Sequence, residues 1–176
     1  MISKFKFCPN CKGKLKKIGL RLLDCQSCGF HFYLNPCPTN ALIIENNKGE
    51  ILLVKRKLPP KKNFWDLPGG FLDFKETIKE SLIREVKEEL NINLKNFTFN
   101  YLGSFFDRYF YKGINYHTIC FIFYTKIKQK LTFKPRDDVS EIKFLPKDKI
   151  PWEKIAFDGI KKALKDYIFK VSAGSI

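Results

Sequence analysis

The chain contains no apolar run of the roughly 18 residues that a membrane-spanning helix needs. Its first residues, MISKFKFCPNC, hold no apolar signal-peptide core, so the cytosol is the expected compartment and no membrane partner is expected. It has one Met, no long low-complexity tract and no internal repeat, which excludes solenoid and repeat architectures. Acidic residues are scarce, 18 against 33 Lys and Arg, for a formal charge of +15. Such an excess favours polyanionic partners: nucleic acid, nucleotides or phosphate-rich small molecules. What the chain does have is apolar mass. The hydrophobic fraction is 44%, with 18 Phe, enough for a real core in one domain plus a small extra module.

Six Cys in a cytosolic chain argue for metal binding or burial before disulfides. Cys8 and Cys11 form CPNC, and Cys25 and Cys28 form CQSC. A hairpin-length segment separates the pairs, so four thiolates can surround one tetrahedral Zn²⁺. So short a segment buries little core, and coordination would supply much of its folding energy. Residues 1–38 are therefore read as a zinc ribbon with a closed, structural site. Lys4, Lys6, Lys12, Lys14, Lys16, Lys17 and Arg21 face only Asp24 within it, a surface suited equally to solvent or to a nucleic acid backbone. Cys37 and Cys120 lack partners at ligand spacing. Residues 29–40, with Pro36 and Pro38, read as a stiff join.

Residues 39–176 read as the larger domain. Strands are expected over 39–45, 50–57, 96–106, 115–127 and 140–146, with a loop at Asp107 and Arg108 and an edge segment and loop over 131–138. Apolar residues recur at helical spacing over 155–169. The expected architecture is α+β, a mixed sheet with a helix on either side.

The densest chemistry lies in GFLDFKETIKESLIREVKEELNI, from Gly70 to Ile92. Ile78, Leu82, Ile83, Val86 and Leu90 form an apolar stripe over the helix 77–90. Glu85, Glu88 and Glu89 share one flank, where like charges repel. A hard cation resolves that conflict, and carboxylate oxygens suit Mg²⁺ or Mn²⁺. Arg84 can reach Glu80 or Glu76. The glycines of Pro68-Gly69-Gly70 allow close backbone approach to a ligand.

This stretch resembles the signature of the Nudix hydrolases through Gly70, Glu76, Arg84, Glu85, Val86, Glu88, Glu89 and Ile92. Asn91 stands where the signature has a late glycine, and Asn accepts the left-handed conformation that ends a helix. The resemblance implies a Nudix fold, mixed sheets packed between helices, behind the zinc ribbon. It implies metal-dependent hydrolysis of a nucleoside diphosphate linked to another group. Glu85, Glu88 and Glu89 would bind Mg²⁺ or Mn²⁺, the Gly69 carbonyl would join them, and Glu76, Gly70 and Arg84 would shape the loop and helix. Glu88, Asp137, Asp138 and Glu141 are the candidates for general base.

A ribbon before such a box resembles the NADH pyrophosphatase group, which favours NAD(H) or an ADP-ribose-like substrate. That group's later SQPWPFPxS signature has no counterpart after Ile92. An RNA cap-removing enzyme, a nucleoside triphosphate pyrophosphohydrolase and a non-catalytic nucleic-acid-binding protein on the same scaffold are the alternatives, and the resemblance is compatible with RNA and with a homodimer. In FFDRYFYKG, Phe106, Tyr109 and Tyr111 could stack a base while Arg108 or Lys112 meets phosphate, or the run could pack a sheet. Arg56 and Lys55 end a strand that could reach phosphate. Trp65 is read as packing.

Overall fold

A computed structural model describes residues 2–176. The N-terminal part is a three-stranded antiparallel sheet, β1 (Leu15–Lys17), β2 (Leu22–Cys25) and β3 (His31–Tyr33). Phe5 and Phe32 pack with ring centroids 5.2 Å apart beneath it. The stretch read as a join is largely strand: β3 ends at Tyr33 and β4 (Cys37–Glu45) already begins at Cys37. Pro38 fits there because its carbonyl accepts from Leu72 N while its missing N–H leaves no ladder bond broken on that side.

The larger part is a six-stranded mixed sheet in the order β6–β5–β4–β8–β7, with β9 on β5. Its other strands are β5 (Ile51–Arg56), β6 (Trp65–Asp66), β7 (Asn100–Tyr111), β8 (Ile114–Lys126) and β9 (Val139–Leu145). β4 and β8 pair in parallel, and the other pairings are antiparallel. ALII is buried throughout because β4 is covered on both faces, as a central strand requires. Leu42, Ile44, Leu52 and Val54 face α1 (Ile78–Leu90). Ala41, Ile43, Ile51 and Leu53 face α2 (Asp158–Ser172).

Three further expectations differ from this fold. The strand expected from residue 96 begins only at Asn100. Asp107 and Arg108 lie inside β7, which runs on to a Lys112-Gly113 turn. Residues 131–138 form no strand. Instead Lys134 N and Arg136 N donate to the Leu90 and Glu89 carbonyls, closing the last turn of α1.

The site is positioned by a split in the sheet. β4 and β5 pair only at Glu45 and Ile51 and then diverge. The loop after β6 fills the gap: Leu42 N donates to Pro68 O and Asn40 N to Gly70 O, both at 2.9 Å. Gly69 has φ 143°, and a Cβ there would strike the backbone of Asn40 and Ala41, so the loop fits only with glycine. α1 starts on a capping box between Thr77 and Glu80. It ends at Asn91 in the left-handed conformation (φ 56°, ψ 35°), the role expected for the residue in the glycine position. At the far end of the sheet, buried Glu45 accepts from Tyr167 Oη at 3.1 Å and pairs with Lys147 Nζ at 2.7 Å, which pins α2. Among the described residues no helix is long and apolar enough to cross a membrane.

Of the α1 stripe, Leu82, Val86 and Leu90 are fully buried, whereas Ile83 is only partly buried and lies outside that core cluster. Leu82→Ala is expected to lower unfolding free energy by about 2–5 kcal/mol. Ile83→Ala should cost much less. Urea denaturation of both variants checks the contrast, and equal losses would contradict this packing.

Candidate active site

Two carboxylates of α1, Glu85 and Glu89, meet the loop that fills the split, while Glu88 stays exposed one turn along the helix. Glu89 is 5% exposed, and its Oε2 accepts from Gly69 N at 3.0 Å. Glu85 lies against Gly70 so closely that a Cβ on that glycine would collide with its carboxylate. Arg84 organises the remainder. Its Nε and Nη2 donate to Glu76 at 3.1 and 2.7 Å. Nη1 donates to Glu85 at 2.9 Å and to Glu88 at 3.0 Å, and Nη2 also reaches Phe71 O at 3.1 Å. The predicted alternative partner of Arg84, Glu80, is taken up by the Thr77 cap.

The hydrogen bonds from Arg84 hold the Glu76 carboxyl down at about 2. The opposite holds for the two buried acids. Burial pushes Glu85 up, and burial with the nearby Asp138 charge pushes Glu89 well above the usual carboxylate range. Glu85, Glu88 and Glu89 thus crowd one end of α1 with a single guanidinium, which Glu76 also shares, and their donors are hard oxygens. That chemistry fits Mg²⁺ or Mn²⁺, with Glu85, Glu88, Glu89 and the Gly69 carbonyl as the residues able to hold it.

The four Cys side chains of the ribbon come together, all Sγ within 4.8 Å of one another. Cys11 Sγ lies 3.5 Å from Cys25 Sγ, and Cys8 Sγ lies 3.9 Å from Cys28 Sγ. Tetrahedral zinc at Zn–S distances of about 2.3 Å would need S···S of about 3.8 Å. The Ser27 amide, opposed by burial, holds the Cys25 thiol down at about 6, whereas Cys11, despite the Gly13 amide, is pushed up to about 12 by hydrogen bonds shared with Cys28 and Cys25. The cluster fits one structural Zn²⁺. His31 stands apart from it, bonded to Asp24 at 2.7 Å on the surface.

A cavity of about 130 Å³ opens beside the carboxylates, between the glycine loop and the N-terminal end of α2. Tyr109 and Arg56 line it; Phe106 and Arg108 do not. Alternation along β7 turns Phe106 and Arg108 to the opposite face, where Phe106 packs on His117 at 5.6 Å. The Arg56 guanidinium bonds Asp66 at 3.0 Å and lies 5.1 Å from the Phe157 ring centroid. Of the expected base candidates, Asp138 lines the cavity, Glu88 is bound to Arg84, and Glu141 is held by Lys55 and Lys143. Lys55 is thereby turned from the cavity and covers Trp65, which packs in the core as expected.

Phe71, Phe157, Asp66 and Asp107 also line the cavity, and sequence reasoning passed over them. Period-2 alternation through FFDRY would have put Asp107 beside Tyr109. The lone charge in the apolar FWDLP run was the signal for Asp66. Cys120 is buried in the cavity wall, where burial raises its thiol to about 12.

Burial raises the Asp66 carboxyl from 3.8 to about 6 despite Arg56. The folded state thus favours protonated Asp66, a contribution present at low pH and lost as pH rises through about 6. Relative to Asp66→Asn, the wild type is expected to lose about 3 kcal/mol of stability between about pH 4 and 6. Urea midpoints across that range measure it; parallel curves for the two proteins would refute it.

Comparison with known proteins agrees with this geometry. The NUDIX domain family profile matches residues 36–167. An ADP-ribose pyrophosphatase of Methanocaldococcus jannaschii is 34% identical over 139 residues, covering 79% of this chain and 77% of that protein. An NAD-capped RNA hydrolase, NudC, of Haemophilus influenzae is 35% identical over 103 residues, covering 56% of this chain and 38% of that protein. The crystal structure of a NUDIX hydrolase from Nitrosomonas europaea superposes with a TM-score of 0.73 at 28% identity, covering 97% of this chain and 94% of that one. With the matched domain spanning most of its length and the carboxylate helix in place, the chain belongs to the Nudix hydrolase family.

Proposed function

We propose that this chain is a Mg²⁺- or Mn²⁺-dependent pyrophosphohydrolase for a nucleoside diphosphate linked to a second group, with ADP-ribose or NAD(H) as the favoured substrate type. One observation carries the proposal: the Gly69–Gly70 loop, which Glu85 and Glu89 contact, lines a cavity walled by Tyr109, Phe71 and Phe157. A cation held by these carboxylates would neutralise the diphosphate and activate water. The residues do the rest. Gly69 and Gly70 let the diphosphate approach the backbone. Arg84 fixes Glu85 and Glu88 through its two short bonds, and Gly69 N fixes Glu89. Asp138, beside Glu89, is the candidate proton acceptor for the attacking water. The aromatic wall seats the nucleoside and excludes solvent. A relative aligned over 79% of this chain is named an ADP-ribose pyrophosphatase, which supports the substrate type.

NAD-capped RNA is the second reading. The NudC likeness favours it, although the chain spans well under half of that relative. So does the lysine-rich ribbon, whose Lys4 Nζ bonds Gly113 O at 2.7 Å and so stands at the β7–β8 turn. RNA affinity falling steeply with salt would support this reading; weak, salt-insensitive binding would count against it.

Turnover of ADP-ribose, NADH, NAD⁺ and NAD-capped RNA with each metal tests the main proposal. Glu89→Gln keeps an acceptor for Gly69 N and is expected to reduce kcat/KM at least about 100-fold with little change in Tm. Unchanged turnover in that variant would remove Glu89 from the mechanism. Elemental analysis is expected to find one zinc per chain, lost in Cys25→Ser; zinc retained in that variant would refute the four-Cys site.

A further inference from the structure

The cavity holds a carboxylate that the metal-binding helix does not use. Asp107 sits on β7 opposite Thr118 of β8, on the same face as Phe105 and Tyr109. It is half-buried, and among the described residues no Lys, Arg or His pairs with it. Burying an unpaired charge is costly unless hydrogen bonds compensate. Backbone amides supply them: Gly159 N donates to Oδ2 at 2.7 Å, Arg108 N donates to Oδ1 at 3.2 Å, and the Asp158 amide also faces the carboxylate. An ionised carboxylate offers roughly four lone-pair positions. The remainder border the cavity.

Capping α2 explains only part of this arrangement. The helix N-cap is Phe157, which has no side-chain acceptor. Ser, Thr or Asn at that position would cap the helix locally. Here the acceptor comes from across the fold, and Gly159 permits it, because a Cβ there would collide with Asp107 Oδ2. The result is an acceptor at the edge of an aromatic wall. Tyr109 stacks on Phe157 at 5.8 Å and meets Phe71 edge-to-face at 5.3 Å. A flat heterocycle with a donor at its rim, or a ribose with free hydroxyls, matches that combination. A phosphate does not, since it would face a carboxylate.

We propose that Asp107 is a specificity-determining residue that accepts a hydrogen bond from an N–H or O–H donor of an adenosine group seated against Tyr109 and Phe157, with the diphosphate directed toward Gly69 and Gly70. This rests on the pyrophosphohydrolase reading but is tested without turnover. Calorimetry with Mg²⁺ would compare AMP, purine riboside 5′-monophosphate (which lacks the 6-amino group), 2′-deoxy-AMP and 3′-deoxy-AMP. Wild-type protein is expected to bind AMP about 10- to 100-fold more tightly than the analogue that lacks the donor. The purine arm identifies the base as the source, and the deoxy arms identify the ribose. Asp107→Asn is nearly isosteric and keeps an acceptor for Gly159 N. It is expected to bring that ratio within about 3-fold while Tm changes little. Equal wild-type affinity for all four compounds, or no binding of AMP, overturns the proposal whether or not the variant folds. A variant that weakens all four equally overturns it too, leaving Asp107 as a helix cap. ADP-ribose turnover, measured separately, stands or falls independently of either result.

Discussion

Carboxylates crowded on one flank of a helix repel each other, and Arg84 is what allows them to stay there. One guanidinium bonds Glu76, Glu85, Glu88 and the Phe71 carbonyl at once. A planar fork of five donors can do this; an ammonium on a flexible stem cannot. Because Glu76 and Phe71 belong to the segment before α1, the same side chain ties loop to helix. Glu89 lies outside its reach and is held by Gly69 N instead. The acids are thus held by two anchors, the Arg84 guanidinium and the Gly69 amide.

That arrangement needs a gap in the sheet, and the gap comes from topology. β4 lies parallel to β8 and touches β5 only at one end. The glycine loop enters the opening and supplies the ladder partners β4 would otherwise lack. Each face of the sheet keeps its own core, one under α1 and one under α2, and both draw on β4 and β5. The site occupies the seam between them, where backbone is available to a ligand without opening either core.

How far the sequence revealed this varies with the kind of signal. The box was legible because Gly70, Glu76, Arg84, Glu85, Glu88 and Glu89 are fixed in spacing by one helix and one loop, and local geometry translates directly into sequence distance. The cysteine pairs were legible for the same reason. The cavity was not, because its walls come from β4, β7, the loop after β6 and the start of α2, which only tertiary pairing brings together. FFDRY shows the difference. Its aromatic content suggested a pocket, but alternation assigns only Tyr109 and Asp107 to it and turns Phe106 and Arg108 away. The run over 131–138 misled for a related reason: its Thr-Phe pattern suits a strand, yet its amides are spent on the end of α1.

The parallel pairing of β4 with β8 joins residues about as far apart as Thr39 and Ile119, 80 positions along the chain. The box helix, its capping segment and the whole β7 strand lie within that span. Closing so long a loop costs chain entropy before any contact across it is gained. The ribbon, by contrast, draws its four thiols from neighbouring turns. During synthesis the N-terminal module can therefore complete its contacts while the central strand still waits for its partner. The hydrolytic centre is assembled only when the far half of the chain has returned.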